Sequence, residues 1–133
     1  MIKKVLSFIL LLIACLTVFA ACGNSTTIES FVIDNEKYSS KEEIESAIQP
    51  DELAATSDVY ASIYFIESPL GTKYTATWYL NGDKIKSEEK EMTTDIQGSI
   101  IYHISSEDIA AGNLKLEISS HDTIILEKDV VLK

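Results

Sequence analysis

Along the chain the apolar residues take three main rhythms. From Val5 to Ala21 they run almost unbroken for 17 residues behind Lys3 and Lys4. Around Ser40 to Pro50 they fall at helical spacing: Ser40-Lys41-Glu42-Glu43 reads as a capping box, with Ser40 at the cap and Glu43 reaching back, and Ile44, Ala47 and Ile48 follow on one face. The pattern predicts a helix of two or three turns ended by Pro50. Before it, Ile28, Phe31, Val32 and Ile33 suggest a short first strand within Thr27 to Asp34.

From Asp58 the period becomes two, the signature of half-buried strands. Val59, Ala61, Ile63 and Phe65 alternate with Tyr60, Ser62, Tyr64 and Ile66; both rows are partly apolar, so the pattern does not fix which faces inward. Glu67 to Gly71 is a turn, and Tyr74, Ala76, Trp78 and Leu80 form the next inward row. Asn81-Gly82 predicts a two-residue hairpin, because both central residues of a type I′ turn need positive φ. Lys84 to Met92 returns as a charged strand suited to a sheet edge. Ile100, Tyr102 and Ile104, then Leu114, Leu116 and Ile118, give two more rows. A turn over Ser119 to Asp122 leads to Ile124, Leu126, Val130 and Leu132, with Lys128 on the same parity at a bend or bulge. Six or seven short strands with turn signals between them predict an all-β, antiparallel β-sandwich.

Ser57 to Lys133 resembles the small immunoglobulin-like or fibronectin-III-like modules of bacterial surface proteins. The resemblance rests on Ser68-Pro69-Leu70-Gly71-Thr72-Lys73, Thr77-Trp78-Tyr79-Leu80-Asn81-Gly82, Ala111-Gly112-Asn113-Leu114-Lys115-Leu116-Glu117 and Val130-Val131-Leu132-Lys133. Leu114 stands where such strands usually carry Tyr. It implies an architecture and no activity.

The opening segment has the positive, apolar and small-residue regions of a secretory signal. With Ala20-Ala21-Cys22 it resembles the signal of bacterial lipoproteins, although Phe19 occupies a position where Leu is commonest. That resemblance implies diacylglycerol on Cys22, which becomes the mature N-terminus. Leu12-Ile13-Ala14-Cys15 also fits, but cleavage there would leave apolar Leu16 to Ala21 on the mature chain. Cleavage before Cys22 hands over to polar Gly23-Asn24-Ser25-Thr26-Thr27. The expected organisation is therefore a cleaved signal helix over 1–21, a tether with a short strand and helix over 22–57, and the sandwich over 58–133. An uncleaved membrane anchor would give the same topology, Lys3 and Lys4 inside and the remainder outside.

Charge narrows the partners. The chain has 11 basic residues, all Lys, against 21 acidic ones; without Lys3 and Lys4 the mature part carries −12. So acidic a domain, lacking Arg, is not built to hold a phosphate backbone, and no nucleic-acid partner is expected. With Cys22 acylated no thiol remains for a disulfide. The two histidines, His103 and His121, read as solvated surface residues, and no metal or cofactor is expected, because zinc needs several His or Cys ligands converging. Gly-x-Ser-x-Gly, a P-loop, a dinucleotide fingerprint and an EF-hand loop are all absent. The acidic pairs Glu42-Glu43, Glu88-Glu89 and Glu107-Asp108 lie in charge-rich sequence with nothing apolar to raise a pKa. Asn24-Ser25-Thr26 is formally a glycosylation sequon but reads as linker.

Candidate contact residues are Tyr60, Tyr64 and Tyr79, if they share outward parity on neighbouring strands. High β-propensity alone is enough to explain them and is the favoured reading. The sequence thus leads to an expectation of a lipid-anchored protein on the extracytoplasmic face of the cell membrane. Its sandwich would be a non-catalytic module for an envelope protein or wall polymer. A small hydrolase or protease-inhibitor-like regulator, and a structural spacer, are the alternatives on the same scaffold.

The anchor is directly testable. Cys22→Ala should abolish metabolic lipid labelling of the chain while Cys15→Ala leaves it intact; the reverse result would put the anchor at Cys15.

Overall fold

The computed structural model describes residues 27–133. The signal segment, Cys22 and the sequon at Asn24 lie outside the described residues. Eight strands, β1 (Ile28–Asp34), β2 (Glu52–Leu53), β3 (Val59–Phe65), β4 (Lys73–Leu80), β5 (Asp83–Glu91), β6 (Gly98–Ile104), β7 (Gly112–Ser120) and β8 (Thr123–Leu132), form two sheets. One has the order β1-β3-β6 and the other β2-β8-β7-β4-β5. Every pairing is antiparallel except the two-residue β2–β8 contact, which is parallel. Chain crossings between the sheets put the 66–72 and 92–97 loops and the β7–β8 turn at one end. The Asn81-Gly82 turn, the 105–111 loop and Lys133 lie at the other.

The sandwich is all-β as expected, with two differences. Six of its strands, β3 to β8, lie in the span expected for the sandwich, and β1 and the two-residue β2 add to them from residues before Asp58. The sandwich begins at Ile28, because β1 is hydrogen-bonded along β3, so much of the expected tether is part of the sheet. The helix, α1 (Lys41–Ser46), lies between β1 and β2 instead of preceding the sandwich.

The double apolar row of β3 explains why. Val59, Ala61, Ile63 and Phe65 enter the core between the sheets. On the opposite face Tyr64 packs with Val32 and Ile44 in a second cluster, flanked by Tyr38, Ala47 and Ile66. The middle strand of the small sheet is therefore covered on both faces, by the large sheet on one and by residues 38–47 on the other. Leaving Tyr64 and Val32 in water would forfeit the transfer free energy of two large side chains, about 1.5–3 kcal/mol each.

Helix α1 starts as predicted. The Ser40 hydroxyl accepts from the Glu43 N–H at 3.1 Å and donates to the Glu43 carboxylate at 3.1 Å. It is shorter than predicted, six residues, because the chain becomes extended at Ala47. Ile48, expected on the buried face, is consequently 88% exposed. Leaving the helix early lets the Gln49 amide reach the free edge of β1. Its Oε1 accepts from the Ile33 N–H at 2.8 Å and its Nε2 donates to the Ile33 carbonyl at 2.7 Å, as a further strand would.

Both hairpin turns have positive φ at their central positions, Asn81-Gly82 (50° and 89°) and His121-Asp122 (51° and 64°). Ile85 is the extra residue of a bulge, since Trp78 pairs with Lys86 and Tyr79 with Lys84. The bulge turns Lys86, Glu88 and Lys90 of edge strand β5 towards the small sheet. There Lys86 Nζ donates to the His103 carbonyl at 2.6 Å and Lys90 Nζ to the Ile101 carbonyl at 2.7 Å. In β8 Lys128 does share the inward row, opposite Leu116, beyond a register shift at Ile118/Ser119.

Trp78 is fully buried in the main core cluster together with Tyr102, Ile104, Leu114 and Leu116. Its Nε1–H finds no acceptor among the described residues. Trp78→Ala should cost about 3–5 kcal/mol, the range for a large aromatic removed from a core. Trp78→Phe, which keeps a ring and removes the orphan donor, should cost clearly less. Denaturant unfolding of both variants measures this, and blue-shifted emission from this single tryptophan reports the buried site in the parent.

Candidate functional site

On the outer face of the small sheet, the register aligns Asp34 of β1, Tyr60 of β3 and His103 of β6 in one row. The Tyr60 and His103 rings stack with centroids 4.9 Å apart. Asp58, just before β3, reaches the same imidazole: its Oδ2 lies 2.9 Å from His103 Nε2, and its Oδ1 accepts from the Ser106 N–H at 2.8 Å. His103 is therefore a surface residue with two partners rather than the freely solvated side chain expected. Both members of this hydrogen-bonded pair are about 40% exposed, 42% and 39%.

Electrostatics at this row favour fixed charges. The Asp58 carboxyl is held below its ordinary value, first by the Ser106 N–H and then by the bond to His103, with burial opposing. At the other side of the row Tyr38 donates its hydroxyl to Asp34 at 2.8 Å. That bond, with burial and the charges of Asp34 and Glu36, pushes the phenol up to about 12, so it stays a donor throughout the physiological range. Among the described residues no Ser hydroxyl is bonded to His103; Ser106 bonds Asp58 through its backbone N–H. Among the described residues no cluster of three or more His, Cys, Asp or Glu is placed to hold a metal ion.

The three candidate tyrosines do not form one patch. Tyr60 is half-buried against His103. Tyr64 shares its face but is 7% exposed beneath residues 38–47, with Lys41 Nζ 5.5 Å from the ring centroid. Tyr79 lies on the outer face of the other sheet, where its hydroxyl donates to Glu117 at 3.2 Å and Lys115 sits over its ring at 5.4 Å. The sheets intervene between Tyr79 and the other two, so the expectation of shared parity on one flat face is corrected: outward rows of different sheets point in opposite directions.

His121 occupies the β7–β8 turn at the other end of the sandwich from His103. It borders an open bay of about 510 Å³ with Leu70, Lys73, Thr75, Glu89 and Asp122. The two histidines share no site. Sequence reasoning missed Asp58 and the Tyr60–His103 stack. The stack follows from strand parity only once β3 is known to pair with β6, across 43 residues and two intervening strands of the other sheet.

The chain matches no protein-family model and no curated protein. Among solved structures, an immunoglobulin-like protein from Pseudomonas aeruginosa aligns with a TM-score of 0.52 at 13% identity, over 84% of this chain and 98% of that one. A β-glucosidase from Listeria innocua aligns at 0.48 and 9% identity over 65% of this chain, which spans only 15% of the enzyme. A CARDB domain from Pyrococcus furiosus aligns at 0.43 and 10% identity, over 84% of this chain and 96% of that one. The first likeness shows the fold: this chain is an immunoglobulin-like β-sandwich.

The Asp58 staple makes a pH prediction. Its folded pKa is depressed, so its contribution is present above the ordinary value of 3.8 and is lost as pH falls through the lower folded value. Asp58→Asn should therefore lower Tm at neutral pH, and the gap to the parent should close on acidification below about that value. Melting curves recorded across the acid range check this; parallel profiles for the two proteins would show that the carboxylate carries no such linkage.

Proposed function

We propose that this protein is a lipoprotein held by acylated Cys22 on the extracytoplasmic face of the cell membrane, and that its sandwich is a non-catalytic binding or interaction module. The observation that carries the second half is the use made of the His103–Asp58 pair. Of the described residues it comes nearest to acid–base machinery. Yet one Asp58 oxygen holds the Ser106 backbone, the His103 ring is packed on Tyr60, and the pair stands on an open face. General acid–base chemistry needs a group aimed at substrate in a water-poor pocket. The apolar rows of both sheets are directed at each other and wall no such pocket here. An envelope protein or wall polymer fits a net charge of −12 on the mature part better than a nucleic acid does.

Photo-crosslinking in intact cells tests this reading, with the crosslinker placed at Tyr60 beside His103 and at Thr77 on the open face of the large sheet. Capture of a partner from one position and not the other supports a binding module. No product from either, with the chain intact at the membrane, favours a structural spacer. Turnover of ester or peptide substrates that Asp58→Asn abolishes would overturn the reading in favour of a hydrolase.

A further inference from the structure

The end of the sandwich at which the described chain begins carries exposed apolar side chains. Leu70 is 62% exposed and Ile96 54%, and Ile124 at the start of β8 is 50% exposed. The first two stand on loops locked together by the backbone. Ser68 N–H donates to the Ile96 carbonyl at 2.7 Å, Gly71 N–H to the Met92 carbonyl at 3.0 Å, and Leu70 N–H to Asp95 Oδ1 at 3.0 Å. Buried Met92 anchors the second loop in the core. Ile96 holds this place with φ of +71°, a conformation that a β-branched residue rarely adopts. A strained, braced loop thus presents an aliphatic side chain to the outside where a polar or glycine residue would sit more comfortably.

The position of the chain's start says what lies opposite. The Thr27 carbonyl accepts from the Ile66 N–H at 2.8 Å, so the polypeptide enters β1 beside the 66–72 loop. Only residues 23–26 separate Thr27 from Cys22, and five extended links reach no more than about 18 Å. If Cys22 is acylated, headgroups lie within that distance of Thr27, at the end of the sandwich that carries Leu70 and Ile96, and the Asn81-Gly82 turn is at the opposite end.

From this we infer that the Leu70/Ile96 end is a membrane-contacting surface, with the two side chains seated in the interfacial layer of the bilayer that holds the lipid anchor. The inference rests on the anchor proposed above. Asp95 and Asp122 lie at the same end, so attraction to anionic headgroups does not drive the contact; it is made by apolar tips that the tether keeps at high local concentration. The domain then stands with one end fixed on the membrane, and the Tyr60–His103 row near the far end is presented outward.

The test uses the full lipidated chain reconstituted in vesicles of phosphatidylcholine and phosphatidylglycerol, with or without brominated phosphatidylcholine. With Cys22 acylated, the mature chain has no other cysteine. A polarity-sensitive fluorophore can therefore be placed at Leu70→Cys, at Ile96→Cys and, as the distal control, at Asp83→Cys; Trp78 emission verifies folding of each. The expected result is a blue shift and bromine quenching at positions 70 and 96 and neither at 83. Probes at 70 and 96 that behave like the one at 83 would overturn the inference. So would a blue shift without bromine quenching that grows with protein density, which would mean that a second copy covers this end. Vesicle flotation separates the two readings. A chain that floats with its probes in water defeats the orientation alone, whereas one that does not float defeats the anchor and the orientation with it.

Discussion

The inner faces of the two sheets are held together without a covalent link, since both cysteines precede residue 23. The contact between the sheets is built on Trp78, Tyr102, Leu114 and Leu116, all fully buried. Tyr102 also crosses the gap: its hydroxyl donates to the Tyr74 carbonyl at 2.6 Å, joining β6 of one sheet to β4 of the other. Tyr74 bonds Ser68 at 2.6 Å and stacks on Phe65 at 4.2 Å, extending the link into β3 and the 66–72 loop. A buried hydrogen bond of this kind contributes about 0.5–1.5 kcal/mol net. Its greater effect is on register, because a slip of one residue in β6 would turn Tyr102 out of the core and leave a polar group behind.

The same sheets leave edges that must be closed against other chains. Each is blocked differently. Gln49 imitates a strand on β1, and short β2 sits beside β8. On β6 two lysines cap carbonyls that would otherwise invite a partner strand. These lysines come from β5, itself an edge, whose charged inner row lies against the rim of the small sheet rather than in the core. One charged strand thus protects two edges. The bulge at Ile85 makes this geometry available by changing the parity of β5 next to the Asn81-Gly82 turn.

Which parts of this were legible in the sequence follows from the range of the interactions involved. Local signals were readable: the Asn81-Gly82 turn, the Ser40 cap, the period-two rows of β4, β6 and β7, and the charged β5. The partial apolarity of both β3 rows was visible too, but its cause was not. Deciding that Tyr64 faces residues 38–47 requires knowing that β1 and α1 return onto β3, a contact between separate segments that no local periodicity encodes. The same limit hid the site. Asp58, Tyr60 and His103 are ordinary residues in their own neighbourhoods and become a cluster only through the β3–β6 pairing. Tyr60 and Tyr79 looked equivalent because parity distinguishes the faces of one sheet but does not say which sheet a strand joins.

The recruitment of β1 changes what the protein can reach. A free tether over 22–57 would let an anchored sandwich wander far from its membrane, since extended chain spans about 3.3–3.6 Å per residue. With Ile28 already paired to Phe65, the length left between Cys22 and the fold is a few residues. The apolar second face of β3 is therefore more than a packing detail: by drawing in β1 and α1 it shortens the leash. On the proposed anchor, a partner must meet this domain close to the membrane surface, and the faces available to it are the outer face of the large sheet and the Tyr60–His103 row. On that reading, restricted orientation would favour affinity, because a module that does not tumble freely loses less rotational freedom when it binds.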